Sequence, residues 1–414
     1  MFKCKLSDIA VLKTGPFGTQ FKASEYVESG IPVINVKNIG YGNLKYNGIE
    51  HITEETKERL SEHTLHKGDI VFGRKGSVDR HCLITEKEDG WFQGSDCLRV
   101  RITKDAVSPN FVSYYLLSSH VLKGINNSAV GSTMASINMD IIGDIIVYLP
   151  DYNTQIQIAN ILKILDEKIG INNKINDNLQ QQLKLLYDYW FTQFEFPDEN
   201  GNSYKSSGGK MSFNHDLSMN IPYSWSTKKL SEICNIILGG TPNTDIPEYW
   251  NGTINWINSG EVAQFPVVKS ELKITQAGVD NSPAKLMPIG TTIVSITGNI
   301  RTSILAINTC ANQSVVGILE SKYIKSQYIH QFMIRMIEQF KVMSTGNCQQ
   351  HINKGTIEEA IIVIPDSRVL NAYYKVAKPL YDRITKNALE NLELTHLRDW
   401  LLPMLMNGQA TIQD

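Results

Sequence analysis

The residues whose spacing most resembles a catalytic pattern are acidic. Pro150-Asp151 is followed by Asp166-Glu167-Lys168, and together they fit a loose form of the PD…(D/E)xK pattern of metal-dependent nucleases. Such an enzyme needs its carboxylates and lysine on adjacent strands around a metal ion. Here the second element lies within a stretch patterned as a long helix, so we expect Asp166 to have a structural role. A nuclease is the least favoured hypothesis.

Other catalytic signatures are absent from the sequence. It contains no GxxxxGK[ST] phosphate loop, no GxGxxG after a strand, no HExxH, no GxSxG and no Asn-Pro-Pro-aromatic tetrapeptide of amino-methyltransferases. The six cysteines form no CxxC pair, so we predict reduced thiols and no zinc site. Binding is therefore the favoured class of function.

The bulk composition is that of a globular protein. A chain of 414 residues is long enough for two or three domains, and 42% of its residues are hydrophobic and 20% charged. No apolar run is long enough to span a membrane, and the N-terminal residues do not resemble a secretory signal, so we expect a cytosolic protein. The net charge of −2 argues mildly against nucleic-acid binding, although positive charge can be local.

The sequence repeats itself once. VGSTMASINMDIIGDIIVYLP at 130–150 and TGNCQQHINKGTIEEAIIVIP at 345–365 share the Gly, the Ile-Asn pair and the final Pro. KGDIVFGRKGSV at 67–78 likewise returns as IGTTIVSITGNI at 289–300. A period of about 215 to 224 residues indicates a duplicated domain rather than a solenoid. Short segments rich in Val, Ile and Thr, broken by Gly and Pro, predict strands within each copy.

A long helix is predicted after each copy. Residues 154–194 contain no proline, and their apolar residues recur at alternating spacings of three and four, which is the pattern of a coiled-coil seam. Thr154 is the predicted N-cap, and a helix of this length would be about 60 Å long. A matching helix is predicted from about Val369 to Leu402.

Four asparagines lie in the predicted seams. Asn172 and Asn176 of the first helix match Asn387 and Asn391 of the second, 215 positions later. An asparagine in a seam costs stability but fixes the register, because its amide must find a partner. We expect these residues to pair the two helices with each other; the alternative is solvated amides on the helix surface.

The arrangement of domains and helices suits a ligand with two half-sites. Residues 197–222 are polar and rich in Gly, Ser and Asn, which predicts a flexible linker between the copies. Two similar domains held by paired helices form a pseudo-twofold object. Duplex DNA is a fitting ligand, because half-sites one helical turn apart, about 34 Å, present the same face. Since the two copies differ at most positions, the half-sites should differ too.

Several stretches of the sequence, taken in order, are typical of one family. They are GSTMASIN with its partner GNCQQHIN, IPYSWSTKKLSEI at 221–233, the closing LRDWLLPMLMNGQATI, and an LPxxxxQ helix opening at Leu149, Pro150 and Gln155. In these stretches the chain resembles the specificity subunit of type I restriction-modification systems over nearly its whole length. The second helix departs from the pattern, because its opening lacks the Gln.

The resemblance implies an α+β fold of two tandem mixed α/β target recognition domains, separated by two long helices that form an antiparallel coiled coil, with a pseudo-twofold internal repeat. The predicted bounds are 1–150 for the first recognition domain, 151–196 for the central spacer helix, 197–221 for the linker, 222–365 for the second recognition domain and 366–414 for the C-terminal spacer helix.

The resemblance also implies a function in host defence. The chain would be a non-catalytic subunit that recognises a bipartite, asymmetric site in double-stranded DNA and docks two modification subunits. Those partners would bind S-adenosylmethionine and methylate adenine N6, and restriction subunits using ATP and Mg would join them, so that no cofactor is expected in this chain. Two further hypotheses stay open: the specificity subunit of an orphan methyltransferase without a nuclease, and a coiled-coil scaffold that does not bind DNA.

Candidate DNA contacts lie at strand ends and around a glycine turn that both copies share, and three amides of the second copy are added to them. Arginine can pair with guanine O6 and N7, lysine with phosphate, and the amides of Asn and Gln with adenine. The candidates are Lys37, Arg74, Lys75 and Arg80 in the first copy, and Asn255, Asn258, Gln264, Asn299 and Arg301 in the second. The alternatives are solvated surface charge for the basic residues and turn formation for the asparagines.

The two matched segments before the last strand of each copy supply further candidates. Their polar residues can hold phosphate, or they can cap the strand that follows. These residues are Ser132, Thr133 and Asn138, and Gln349, Gln350 and Asn353. Trp190 and Trp400 end the two helices, and we expect them to pack between helix ends rather than to stack on bases.

Overall fold

The chain forms two compact units. The computed structural model describes residues 1–129, 135–343, 352–410 and 412. Unit 1 comprises Met1–Lys168 and Leu394–Asp414, and unit 2 comprises Ile169–Glu393. The division falls within both long helices, so each helix contributes residues to both units. The domain bounds expected from the sequence, which set the helices apart as spacers, stay a prediction.

Unit 1 mixes short strands and helices. Its strands are β1 (Phe2–Lys5), β2 (Ala10–Thr14), β3 (Tyr26–Val27), β4 (Ile31–Ile34), β5 (Tyr41–Gly42), β6 (Glu50–Ile52), β7 (Ile70–Gly73), β8 (His81–Leu83), β9 (Phe92–Gln93), β10 (Cys97–Ile102) and β11 (Ile146–Leu149). Its helices are α1 (Leu6–Ile9), α2 (Glu54–Arg59), α3 (Pro109–Leu116), α4 (Ser119–Ser128), α5 (Met139–Gly143) and the start of α6 (Tyr152–Tyr187).

Unit 2 follows a similar order. Its strands are β12 (Met211–Asn214), β13 (Met219–Pro222), β14 (Ser226–Lys229), β15 (Ile236–Leu238), β16 (Trp250–Ile257), β17 (Leu272–Ile274), β18 (Thr292–Ser295), β19 (Thr302–Ile304), β20 (Thr309–Ala311), β21 (Val315–Ile318) and β22 (Ile361–Ile364). Its helices are α7 (Leu230–Ile233), α8 (Gln276–Asp280), α9 (Ser326–Met343), α10 (Lys354–Glu358) and most of α11 (Ser367–Met406).

Each unit contains its own large sheet, and the strand order is the same in both sheets. The order is β2-β10-β7-β8-β5 in unit 1 and β15-β21-β18-β19 in unit 2. Strand β5 is the exception, since it runs parallel to β8 and adds a fifth strand to the unit 1 sheet. Each smaller sheet contains one parallel pair, β4 with β9 and β16 with β20. This correspondence confirms the duplicated, mixed α/β domain predicted from the repeat.

A two-stranded antiparallel ribbon joins the first and last strands of each copy. In unit 1 it is β1 with β11, and in unit 2 it is β14 with β22. The same ion pair anchors both ribbons: Lys5 lies 2.7 Å from Asp144, and Lys229 lies 2.5 Å from Glu359. We call these the unit 1 ribbon and the unit 2 ribbon.

Both long helices form as predicted, but a different residue caps the first. Helix α6 extends through one π-helical turn, Asp188–Thr192, and α11 spans 40 residues. The carboxylate of Asp151, not the side chain of Thr154, accepts the backbone N–H of Thr154 at 3.0 Å. Asp366 does the same for the N–H of Val369 at 3.0 Å. The prediction of Thr154 as N-cap was therefore wrong, because an aspartate three residues earlier satisfies the free N–H.

The segment predicted as a flexible linker is structured. It contains an antiparallel hairpin of β12 and β13, which we call the cover hairpin. Just before it, the ring of Phe196 stacks between those of Tyr204 and Trp225, with centroid distances of 4.6 and 4.8 Å. The polar composition suggested a linker, but a few spaced aromatic and apolar residues are enough to attach the segment to the unit 2 core.

Each unit has its own hydrophobic core. The core of unit 1 lies between its large sheet, α3 to α5, the start of α6 and the end of α11. The core of unit 2 is centred on aromatic rings of α6, α9 and α11, among them Tyr187, Phe191, Tyr328 and Tyr373. Among the described residues, no helix combines the length and the apolar character that crossing a bilayer requires.

Candidate nucleic-acid interface

Each large sheet contains a hairpin whose turn ends in an arginine. In unit 1 the hairpin is β7, residues 74–80 and β8, and in unit 2 it is β18, residues 296–301 and β19. Gly76 and Gly298 have φ angles of +77° and +68°, a left-handed conformation that glycine adopts at little cost. The last residue of each turn is an arginine, Arg80 or Arg301. We call these the arginine hairpins.

Arg80 is held in position without an ion pair. Its guanidinium carbon lies 5.3 Å from the centre of the Tyr41 ring, which is a cation–π distance. Within the described residues its buried Nε has no hydrogen-bond partner and its side chain has no acidic one. The neighbouring carboxylate of Asp79 instead accepts hydrogen bonds from the Tyr41 hydroxyl at 3.0 Å and from Asn126 at 3.3 Å. The positive charge of Arg80 is therefore available to a ligand.

The unit 2 arginine hairpin presents exposed side chains on a fixed backbone. The hydroxyl of Ser295 accepts the N–H of Arg301 at 2.9 Å and donates to the carbonyl of Asn299 at 2.9 Å. Both Asn299 and Arg301 are exposed. Arg301, like Arg80, has no acidic partner in the part of the chain that the structure describes.

The two predicted lysines are paired with carboxylates. Lys37 lies 3.1 Å from Glu50, and Lys75 lies 2.9 Å from Asp96. Exposed pairs of this kind contribute little stability, and a phosphate could displace either carboxylate. Arg74 is half-buried, and its backbone N–H donates to the Asp96 carbonyl at 2.7 Å. The structure thus brings Arg74, Lys75 and Arg80 into one turn, whereas Lys37 lies in the turn after β4.

The predicted amides of the second copy make bonds within the fold. The Asn255 amide donates to the Asn308 carbonyl at 3.0 Å, and its oxygen accepts from the Ser270 hydroxyl at 3.1 Å. The side-chain oxygen of Asn258 accepts the N–H of Gly260 at 2.7 Å. These are the bonds of a strand edge and a turn, which favours turn formation over base reading. Gln264 is half-buried.

The matched Ile-Asn pairs cap short helices. The side-chain oxygen of Asn138 accepts the N–H of Ile141 at 2.9 Å, at the start of α5. Asn353 accepts the N–H of Thr356 at 2.9 Å, at the start of α10. Both asparagines therefore act as caps, but each caps a short helix that precedes the strand and not the strand itself. The other four candidates of these segments lie outside the described residues: Ser132, Thr133, Gln349 and Gln350.

The four seam asparagines meet within unit 2. The Asn172 amide donates to the side-chain oxygen of Asn391 at 2.9 Å, and the Asn387 amide donates to that of Asn176 at 2.8 Å. Asn176 also donates to the Ile384 carbonyl at 3.3 Å. Residue numbers rise along α6 as they fall along α11 in these contacts, so the helices run antiparallel.

Comparison with known proteins identifies the family. The chain matches the family described as "Type I restriction modification DNA specificity domain" at residues 2–181 and 222–394, one match in each half. The chain belongs to this family. As a specificity subunit, it is a recognition component and not a catalytic one.

Specificity subunits of several type I restriction enzymes are similar along most of their length. The HindI subunit of Haemophilus influenzae is 21% identical, with 91% of this chain and 94% of that one covered. The MjaIX subunit of Methanocaldococcus jannaschii is 23% identical, with 99% and 93% covered. A crystal structure of the type I S subunit from M. genitalium has the same fold, with a TM-score of 0.56, 16% identity and coverage of 98% and 95%.

In this specificity subunit the acidic residue of the nuclease-like pattern is engaged elsewhere. Asp166 accepts a hydrogen bond from the Tyr114 hydroxyl at 2.8 Å and pairs with Arg398 at 2.8 Å. Among the described residues no group of three or more His, Cys, Asp or Glu side chains could hold a metal ion. These contacts support the structural role that we expected for Asp166.

The glutamine of the helix opening serves the fold of the specificity subunit. Gln155 is 1% exposed, accepts the N–H of Ser108 at 2.9 Å and donates to the Pro150 carbonyl at 3.0 Å. It ties the start of α6 to the loop before α3. In unit 2 the hydroxyl of Tyr374 accepts the N–H of Lys325 at 2.9 Å, before α9. The second helix thus makes a similar contact with a tyrosine one turn beyond Leu370, the residue that matches Gln155.

The sequence did not predict the positions of two aromatic residues, Trp400 and Tyr41. Trp190 is 7% exposed and packs in the core as expected, but Trp400 is 59% exposed, so that expectation was wrong. Near the helix ends the copies match at an offset of 211, which makes Tyr189 the counterpart of Trp400. Tyr41 was missed altogether, because it lies on β5, which has no counterpart in the large sheet of the second copy among the described residues.

Proposed function

We propose that the chain recognises a bipartite, asymmetric site in duplex DNA, with one half-site contacted by each arginine hairpin. It would dock two modification subunits that carry S-adenosylmethionine and methylate adenine N6, and restriction subunits with ATP and Mg would join them. Because its target is cellular DNA, we expect it to work in the cytoplasm.

The observation that carries this proposal is the unpaired arginine at the same place in both units. Arg80 and Arg301 directly precede the second strand of equivalent hairpins, and neither has an acidic partner among the described residues. An arginine that is fixed in position but not neutralised can donate two parallel hydrogen bonds to guanine O6 and N7. Gly76 and Gly298 leave the turns without a side chain that would hinder a close approach to DNA.

The two hairpins differ enough to favour different half-sites. Arg80 lies against the Tyr41 ring, whereas Arg301 is exposed and follows an exposed Asn299. A braced arginine has fewer orientations available and selects one base geometry more strictly. Asn299, two residues before Arg301, offers an adenine contact in unit 2, whereas its counterpart in unit 1 is Ser77. An asymmetric target follows from this difference.

In each unit, taken by itself, exposed faces of the long helices support docking of a modification subunit. Several large apolar side chains on these faces are well exposed, which marks surfaces that bind other proteins. They are Ile164 (62%), Ile171 (53%), Leu185 (70%), Leu397 (43%) and Trp400 (59%). Residues of the helix seams, by contrast, are buried against one another.

The test is to map adenine methylation with the reconstituted complex. The subunit is combined with its modification partners, and methylated sites in a plasmid library are found by long-read sequencing. We expect one split motif. Arg80→Ala should weaken recognition of one half-site by about 1 to 3 kcal/mol, and Arg301→Ala that of the other. Arg59→Ala and Arg368→Ala, which remove arginines paired with Glu25 and Glu199, are matched controls and should leave the motif unchanged.

Three outcomes distinguish the hypotheses. Loss of discrimination at both half-sites in each variant would contradict the assignment of one hairpin to one half-site. No DNA binding by the complete complex would favour the scaffold hypothesis. A methylated split motif without ATP-dependent cleavage, when restriction subunits are supplied, would favour an orphan methyltransferase.

A further inference from the structure

The ribbons of the two units have equivalent faces that differ in what covers them. In unit 2 the cover hairpin lies on the outer face of the ribbon. The hydroxyl of Thr227 on β14 accepts a hydrogen bond from the Asn214 amide at 3.0 Å and donates to the carboxylate of Asp216 at 2.6 Å. Leu217 and Met219 face β22, and the space left there has a volume of about 190 Å³.

Among the described residues, nothing covers the corresponding face in unit 1, which borders a groove. The groove lies between α4 and the unit 1 ribbon and has a volume of about 420 Å³. Its walls include the apolar side chains of Val121, Ile125, Ile141 and Ile146. The acidic residue of its lining, Asp144, is paired with Lys5. Tyr148 on β11 forms part of the rim and is 40% exposed. Its counterpart in the unit 2 ribbon is Val363, which is half-buried.

The charges on the unit 1 ribbon suit an acidic partner. In the register of the ribbons, Lys3 opposite Tyr148 occupies the place of Thr227 opposite Val363. Thr227 is the residue that bonds to Asp216 of the cover hairpin. Lys3 lies 5.9 Å from the centre of the Tyr148 ring and has no acidic partner among the described residues. The ammonium group of Lys3 would attract a carboxylate more strongly than the hydroxyl of Thr227 does.

We propose that this groove docks an extended segment of a partner protein that repeats the pattern of the cover hairpin. In that pattern an acidic residue is followed by apolar residues one and three positions later, as in Asp216, Leu217 and Met219. The carboxylate would pair with Lys3, and the apolar side chains would enter the groove beside Tyr148. The inference does not depend on the DNA-binding proposal, since the surface and its test involve no DNA.

The test uses a peptide of this chain's own sequence as the probe. A fluorescein-labelled peptide of residues 209–224 is titrated with the full-length protein, and binding is followed by fluorescence anisotropy. We expect saturable binding that Tyr148→Ser weakens by about tenfold, because the ring forms the rim of the groove. Phe17→Ser, which removes another exposed ring of unit 1, is the matched control and should bind the peptide as the unaltered protein does.

A charge exchange makes the test independent of packing. Lys3→Glu should weaken binding of the peptide about fivefold, and a peptide with Asp216→Lys should recover it. Circular dichroism confirms that each variant is folded, and the Lys3→Glu exchange keeps the proposal testable if Tyr148→Ser does not fold. The proposal is overturned if the peptide shows no saturable binding up to millimolar concentrations. It is also overturned if neither variant alters the affinity, since the peptide would then bind elsewhere, for instance in place of the cover hairpin.

Discussion

The two units join a shorter helix, α3 in unit 1 and α9 in unit 2, to the long helices with different chemistry at equivalent positions. In unit 1, Asp166 on α6 accepts a hydrogen bond from Tyr114 on α3 and pairs with Arg398 on α11. In unit 2 the residue 215 positions after Asp166 is Tyr381. Its hydroxyl lies 2.9 Å from both His330 Nδ1 and the Gln331 amide on α9. One junction is charged and partly exposed, and the other is neutral and buried.

The aromatic surroundings enlarge this difference. The His330 ring is stacked on Phe265, with centroids 4.5 Å apart, and both contact Tyr381. Further along α6, Phe191 lies 4.8 Å from Tyr328 and 4.9 Å from Tyr373. Buried rings contribute mainly through the apolar area removed from water, whereas a half-exposed ion pair contributes about 1 kcal/mol or less. The two copies of this duplicated domain thus make contacts at the same positions, but the type of interaction at those positions differs.

The largest expected effect comes from emptying the unit 2 ring cluster. Phe191→Ala should lower the free energy of unfolding by about 3 to 5 kcal/mol, because it leaves a cavity among rings that cannot close in. The equivalent change in unit 1, Leu402→Ala, should cost about 2 to 3 kcal/mol, since fewer contacts are lost. Guanidinium unfolding followed by circular dichroism measures both. Equal losses would contradict the view that unit 2 depends more on this junction.

The response to acid should reveal the buried histidines. Burial lowers the pKa of His330 to about 3 and that of His81, in unit 1, to about 4. As the pH falls below the ordinary histidine value of about 6.5, the unfolded chain takes up a proton that the folded chain refuses. Stability should therefore fall by about 1.4 kcal/mol per pH unit for each histidine.

The acid response is measured as the slope of unfolding free energy against pH between 6.5 and 5. In His330→Gln and in His81→Gln that slope should be smaller by the contribution of one proton, about 1.4 kcal/mol per pH unit. This holds whatever the stability of the variant at neutral pH. If both variants keep the slope of the unaltered protein, the burial assigned to these rings is wrong.

The seam asparagines allow a test of polar pairing inside unit 2. Asn387→Leu leaves the oxygen of the nearly buried Asn176 without its partner and should cost about 1 to 3 kcal/mol. The double variant Asn176→Leu with Asn387→Leu should recover that loss or exceed it, since two apolar residues suit a seam. Denaturant unfolding gives both values. A double variant less stable than the single one would mean that the amides contribute net stability.

The smallest expected effect is the loss of the unit 1 ion pair. Asp166→Asn should cost about 1 kcal/mol or less, because the side chains of Asp166 and Arg398 are 37% and 31% exposed. The loss should shrink further at high salt, which screens exposed charges. Tyr381→Phe, at the equivalent position, is the control, and its effect should not depend on salt. Thermal unfolding at low and high salt would show whether the two junctions differ in this way.

Features that depend on neighbours along the chain could be predicted. The spacing of apolar residues predicted both long helices. The 215-residue offset predicted that the seam asparagines pair the helices with each other, but not that Asn172 bonds to Asn391 and Asn387 to Asn176. A helix face and a repeat are properties of sequence order, so they can be recognised without knowledge of the fold.

The candidate site was only partly predictable. The shared glycine turn pointed to Arg80 and Arg301, but the acids that pair with Lys37 and Lys75 are 13 and 21 residues distant along the chain. Nothing in the local sequence distinguishes a free lysine from a paired one. For the same reason Asn138 and Asn353 looked like ligands, although their side chains close the first turns of short helices.

The sequence by itself determined the duplication, the two long helices with their polar seam positions, and membership of the specificity family. Tertiary structure decided which side chains are covered. It places Tyr41 against Arg80, buries Gln155, exposes Trp400 and folds the cover hairpin onto the unit 2 ribbon. The physical reason is that periodicity fixes which face of an element is apolar. Whether a given charge or ring on that element is covered depends on residues brought close by the fold from distant parts of the chain.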